Sequence, residues 1–110
     1  MYIVVSRWEP VPGHQAEFEA GGEKMHAFMR EQPGIEFFDS FMSENGQVVV
    51  IHAYRDRETY DRLINAPDSA FNRKLKEVNL EQHSRWLGSE RGETRFPGVL
   101  AGRNAAVSMS

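Results

Sequence analysis

His52 and Asp39 are the residues of this chain whose types and spacing best suit proton transfer. An imidazole titrates at about 6.5, near operating pH, and a carboxylate facing it fixes its tautomer and favours the imidazolium formed when the ring accepts a proton. The two meet if Asn45-Gly46, flanked by β-formers, is the two-residue turn of a β-hairpin. That turn sets Glu44 opposite Gln47, Met42 opposite Val49, Phe41 opposite Val50 and Asp39 opposite His52. Strand alternation then gathers Phe37, Asp39 and Phe41 with Val48, Val50, His52 and Tyr54 on one face. Phe37, Phe41, Tyr54 and Trp8 would sandwich a flat ring beside the pair. The structural alternative is an ion pair, or a contact at a subunit interface.

A second group lies at His83, Arg85 and Trp86, followed by Gly88 and Gly92. Arg85 would hold an oxyanion developing on an aromatic substrate, and Trp86 would close over it. The alternative for Trp86 is an anchor in the core or at an interface. His14, at a helix start, and His26, near a helix's polar boundary, read as surface residues. No His pair has the i, i+4 spacing of a zinc site with a carboxylate third ligand, so the spacing supports no metal site. Gly21-Gly22 and Gly88-Ser89-Glu90-Arg91-Gly92 lack the strand and Lys or Gly spacing of phosphate loops, and no serine sits in a nucleophile elbow.

Composition narrows the class further. At 110 residues the chain suits a single domain near the small end of what buries a core. With no cysteine, it has neither a disulfide framework nor thiolate chemistry, which fits a reducing compartment. A net charge of −3 with interspersed signs gives no basic stripe for nucleic acid. The run Met1-Tyr2-Ile3-Val4-Val5-Ser6-Arg7-Trp8 is too short for a membrane span and lacks a charged n-region, so it reads as a strand and the protein as cytoplasmic.

The elements that must position these residues follow from punctuation and periodicity. Pro10 and Pro12-Gly13 break the first strand, and a helix starts at about His14 with Phe18, Gly22, Met25, Phe28 and Met29 on one side. Gln32-Pro33-Gly34 ends it, and its Gly21-Gly22 pair suggests a close approach to the sheet or to a ligand. After the hairpin, Asp56 caps a helix carrying Tyr60, Leu63 and Ile64. Pro67 interrupts it, and Asp68 or Ser69 caps a restart with Phe71, Leu75 and Val78 that runs to about Asn79. The segment from Leu80 to Phe96 reads as a loop leading into a fourth strand.

This order is that of a ferredoxin-like split βαβ domain, an α+β fold with an antiparallel sheet. The hairpin is apolar on both faces, since Phe38, Met42, Val49, Ile51 and Ala53 occupy the other side, and such a sheet needs two covers. The chain's helices supply one and a partner subunit the other, which predicts a homodimeric α+β barrel. Residues 1–96 form the domain, and residues 97–110, small and weakly charged, form a flexible or partner-contacting tail.

These features resemble the antibiotic biosynthesis monooxygenase family of small dimeric α+β barrels. The resemblance rests on Ser6-Arg7-Trp8 closing strand one, Pro12-Gly13 before an amphipathic helix, and Met29 with Gln32-Pro33-Gly34-Ile35 leading into strand two. It rests also on Ala53-Tyr54-Arg55-Asp56-Arg57-Glu58-Thr59-Tyr60, where the family has an aromatic residue, often Trp, at Tyr54. It covers roughly residues 1–80. The family includes oxygenases that convert polycyclic phenols or anthrones to quinones without metal or flavin, quinol monooxygenases, and haem-degrading enzymes. The haem-degrading branch has Asn, Trp and His at positions that read Ser6, Leu63 and Leu75 here, which removes the haem ligand and its helpers.

The resemblance thus implies a cofactor-independent monooxygenase, using no metal and no flavin, that acts on a small aromatic, anthrone or quinol-type molecule. His52 would be the base, Asp39 its orienter and Arg85 the oxyanion partner, with Trp8, Phe37, Phe41, Tyr54 and Trp86 as pocket walls. Two other classes share the fold: a polyketide cyclase or isomerase in which His52 shuttles a proton, and a non-enzymatic dimeric protein that holds a small hydrophobic ligand.

Overall fold

The structure, a computed structural model, describes residues 1–96, so the expected tail lies outside the described residues. Its elements are β1 (Tyr2–Pro10), α1 (Gln15–Arg30), β2 (Ile35–Met42), β3 (Val48–Tyr54), α2 (Arg57–Tyr60), α3 (Ala70–Glu77) and β4 (Ser84–Glu93). α2 continues as a π-helical turn, Asp61–Asn65, and a 3₁₀ turn, Leu80–Gln82, precedes β4. The four strands form one sheet in the order β2-β3-β1-β4, with every neighbouring pair antiparallel. This is the ferredoxin-like split βαβ arrangement the element order predicts. No helix among the described residues is long and apolar enough to cross a membrane.

The caps behave as the residue types require. Asp56 accepts a hydrogen bond from Thr59 N at 2.8 Å, and Ser69, not Asp68, caps α3 by accepting from Asn72 N at 3.1 Å. Phe18, Met25 and Met29 of α1 are buried with Phe38, Leu75 and Leu80 in one core cluster. Tyr2, Val4, Tyr54, Tyr60 and Leu63 form a second. Gly21, not Gly22, makes a close approach, and it is to the 3₁₀ turn and not to the sheet: a Cβ there would lie 2.8 Å from Leu80 Cδ1.

The hairpin register departs from the expectation by one residue. Gly46 N donates to Ser43 O at 3.0 Å, and Ser43 N donates to Gln47 O at 2.7 Å. Gly46 has φ +84°, so the loop is the three-residue Glu44-Asn45-Gly46, a β-turn closed by a left-handed glycine, and not a two-residue turn. The extra loop residue sets Phe38 opposite His52 and Asp39 opposite Ile51. A slip of one residue sends every β2 side chain to the other face relative to β3. The expected Asp39–His52 pair therefore does not form.

β4 occupies most of the segment read as a loop. Its ladder with β1 shifts between Arg7 and Trp8, leaving Leu87 as an unpaired bulge residue next to Gly88 at φ +143°. The bulge places Trp86 opposite Trp8, Ser89 opposite Ser6 and Arg91 opposite Val4, all on the helix-covered face of the sheet. The opposite face carries Ile3, Val5, Phe37, Phe41 and Ile51, with Phe37 51% and Phe41 52% exposed and, among the described residues, no helix over them.

Candidate active site

A cavity of about 1010 Å³ lies between the helix-covered face of the sheet and α1, with α2, its π turn and α3 closing one side. Trp8, Trp86, Phe38 and Phe71 give it apolar walls, and Ser6, Ser89, His26, His52, Tyr60 and Arg91 bring polar groups to it. This combination of aromatic walls and a few convergent polar groups is that of a small-molecule site. The volume suits a ligand of several fused rings.

His52 stands at the centre of β3 and is buried, with both ring nitrogens engaged. The Tyr54 hydroxyl lies 2.5 Å from its Nδ1, and its Nε2 lies 3.4 Å from Ser6 Oγ. Burial pushes the Tyr54 phenol well above its ordinary range, with nearby Tyr60 adding to the effect, so the hydroxyl stays protonated and donates to Nδ1. Nε2 then carries the ring hydrogen and points it toward Ser6, whose Oγ is 2.9 Å from Ser89 Oγ. Trp86 Nε1 donates to the same Ser89 oxygen at 3.0 Å. Burial, and secondly the neighbouring His26, push the His52 pKa down to about 4. His52 is thus a neutral hydrogen-bond donor at physiological pH.

His26 complements it from α1. Its Nδ1 lies 2.8 Å from the Gly22 carbonyl oxygen, which can only accept, so Nδ1 carries the hydrogen and Nε2 the lone pair. That Nε2 is buried and has no hydrogen-bond partner among the described residues. The ring stands edge-on to Phe38, centroids 5.0 Å apart at 90°, and Phe38 in turn packs on His52 at 5.1 Å. His26 and His52 therefore both line one aromatic cavity, with Phe38 packed between them.

The other expected site residues divide. Trp8 and Trp86 line the cavity. Tyr54 is fully buried and acts through His52 instead of forming a wall. Asp39 lies at the rim with its carboxylate 3.2 Å from an Arg30 nitrogen, so it does not orient His52. Phe37 and Phe41 fall on the uncovered face because of the one-residue register shift, and do not wall the cavity. Arg85 pairs with Glu9, its β1 partner, through its Nε at 2.9 Å, on the face away from the cavity.

His26, expected on the surface, lines the cavity with its Nε2 buried, and the sequence gives no site role to Arg91, Ser6 or Ser89. His26 had one signal: with Phe18, Gly22 and Arg30 it repeats every four residues along α1, which sets it beside the apolar stripe. Arg91 and Ser89 had none, since their direction depends on the bulge at Leu87.

Comparison with known proteins agrees with this architecture. Among curated proteins no sequence matches. Rv0793 from Mycobacterium tuberculosis superposes with a TM-score of 0.68 at 21% identity, over 84% of this chain and 93% of that one. SnoaB, a cofactor-independent oxygenase from Streptomyces nogalater, gives 0.69 at 22% identity, over 86% of this chain and 92% of that one. A solved antibiotic biosynthesis monooxygenase gives 0.63 at 20% identity, over 84% and 94%. At these identities the structures establish a shared fold. The family model described as antibiotic biosynthesis monooxygenase matches residues 1–69, which hold β1, α1, β2, β3 and α2, and the chain belongs to that family.

Proposed function

We propose that this protein oxygenates a small aromatic substrate of the anthrone or quinol type without metal or flavin, with His26 as the base and His52 as a neutral hydrogen-bond donor. The observation that carries the reading is the buried, unpartnered Nε2 of His26, on a ring that lines the aromatic-walled cavity. Family membership supports a monooxygenase-type role, and SnoaB, similar in fold, is described as a cofactor-independent oxygenase.

The chemistry needs a substrate acidic enough to lose a proton to imidazole and electron-rich enough, as its anion, to reduce dioxygen. His26 Nε2 takes a proton from an activated methylene carbon, and the negative charge delocalises onto the ring oxygen. That oxygen is stabilised by the His52 Nε2–H and by the Arg91 guanidinium, which takes the place expected for Arg85. The carbanion adds dioxygen and, with the proton returned from His26, gives a hydroperoxide. Loss of the second carbon-bound hydrogen as a proton and of hydroxide leaves a carbonyl and one water, so the substrate supplies all four electrons and dioxygen accepts them. Trp8, Trp86 and Phe71 hold the ring system and exclude water.

The uncovered apolar face leads us to propose a homodimer whose sheets pack on each other through Phe37, Phe41 and Ile51, in the cytoplasm. A cyclase would use the same two histidines to move a proton without consuming oxygen. Oxygen uptake across a panel of anthrones, naphthoquinols and catechols, in the presence of a metal chelator, tests the proposal and separates it from that alternative.

A further inference from the structure

His14 and His83 are 69 residues apart in sequence, yet their Nδ1 atoms lie 3.0 Å from each other. The backbone builds this approach. The Pro12-Gly13 turn, with Gly13 at φ +84° and His14 N donating to Val11 O at 2.8 Å, delivers His14 to the start of α1. Val11 N donates to His83 O at 3.0 Å, which ties that turn to the residue preceding β4. The rings lie 5.2 Å apart, tilted 33°, with nitrogen facing nitrogen. Glu17, one turn into α1, brings a carboxylate oxygen to 4.0 Å from His14 Nδ1, and the three ligand atoms all lie within 4.8 Å of one another.

We propose that His14, His83 and Glu17 form a binding site for a divalent zinc-class cation. Two facing imidazole nitrogens without a metal must share one hydrogen. A cation accepts both lone pairs at once. Zinc–nitrogen bonds of about 2.0–2.1 Å in a tetrahedron separate two ligand nitrogens by about 3.3 Å, close to the distance found. Glu17 is half exposed, and rotation of its side chain brings its oxygen onto the metal as the third ligand, with water as the fourth. Two imidazoles and a carboxylate are a donor set that favours zinc and its transition-metal neighbours over calcium or magnesium.

The bound ion would clamp the start of α1 to the start of β4. Phe18 of α1 and Ser84 of β4 both line the cavity, so the clamp would hold two of its walls together. It lies away from His26 and His52 and takes no part in the chemistry proposed for them.

The test is a titration of chelator-stripped protein with zinc chloride by isothermal calorimetry, paired with cobalt(II) absorption in the visible region. The proposal expects one ion per chain with micromolar or tighter affinity, an intense cobalt band typical of a tetrahedral nitrogen and oxygen site, and a raised melting temperature. His14→Ala and His83→Ala, each first confirmed to melt like the metal-free parent, should abolish the binding, and Glu17→Gln should weaken it by about tenfold or more. No saturable binding, or binding that persists in both histidine variants, would overturn it.

Discussion

The hydroxyl of Tyr54 lies 2.5 Å from Nδ1 of His52, two residues earlier on the same strand and on the same face of the sheet. Burial holds the imidazole in its neutral form, and this contact sets its hydrogen on Nε2, directed toward Ser6. The first consequence of that burial is a pH dependence of stability. Unfolded, the ring accepts a proton at about 6.5. Folded, it does so at about 4. Between those values the unfolded chain holds the extra proton, so the His52 contribution is fully present above about pH 6.5 and is lost as pH falls toward 4. The loss sums to on the order of 3 kcal/mol. Urea midpoints measured across that range should fall with acid in the parent and much less in His52→Gln.

Tyr54→Phe removes the donor and leaves Nδ1 buried without a partner. The expected cost is about 1–3 kcal/mol, the desolvation of an unsatisfied buried acceptor. Urea denaturation measures it. The same variant frees the His52 tautomer, so its residual activity should fall even under conditions where it remains folded.

Two glycines should respond in opposite directions. Gly22 lies in mid-helix with open space where a Cβ would go, so Gly22→Ala should stabilise by about 1 kcal/mol through helix propensity. Gly34 has φ +92°, and a Cβ there would lie 2.5 Å from Thr59 Cγ2, so Gly34→Ala should destabilise by about 1–3 kcal/mol. Thermal melts of the two variants beside the parent decide both.

The legible parts of this fold are those set by local chemistry. Pro12-Gly13, Pro33-Gly34, Asp56 and the Ser69 cap bound their helices near the expected positions because caps and breakers act over three or four residues. Asn45-Gly46 marked the hairpin, but the same dipeptide serves a two-residue or a three-residue loop, and that one residue decides whether Asp39 or Phe38 meets His52. The site suffered more. Arg91 and Ser89 reach the cavity because of a bulge fixed by the pairing of β4 with β1, which no local pattern in Leu80 to Phe96 announces. His14 and His83 meet through two chain reversals, so spacing along the sequence hides them.

The uncovered sheet face makes a prediction about assembly. Phe37, Phe41 and Ile51 are flanked there by Ile3 and Val5, an apolar patch that in water favours association. Sedimentation velocity should show a dimer for the parent. Phe41→Glu and Ile51→Lys should shift it toward monomer, since each would bury an unpaired charge at the interface.

The central claim is that the lone pair of His26 starts an oxygenation. The direct measurement is oxygen uptake with anthrone, naphthoquinol and catechol substrates under metal chelation, for the parent, His26→Ala and His52→Ala side by side. The account predicts uptake above the spontaneous rate with at least one substrate. It predicts a fall of about 10²–10⁴-fold in His26→Ala, the range for loss of a general base, and a smaller fall in His52→Ala, where one donor to the oxyanion is missing. Full uptake in His26→Ala, or no uptake by the parent on any of these substrates, would contradict it.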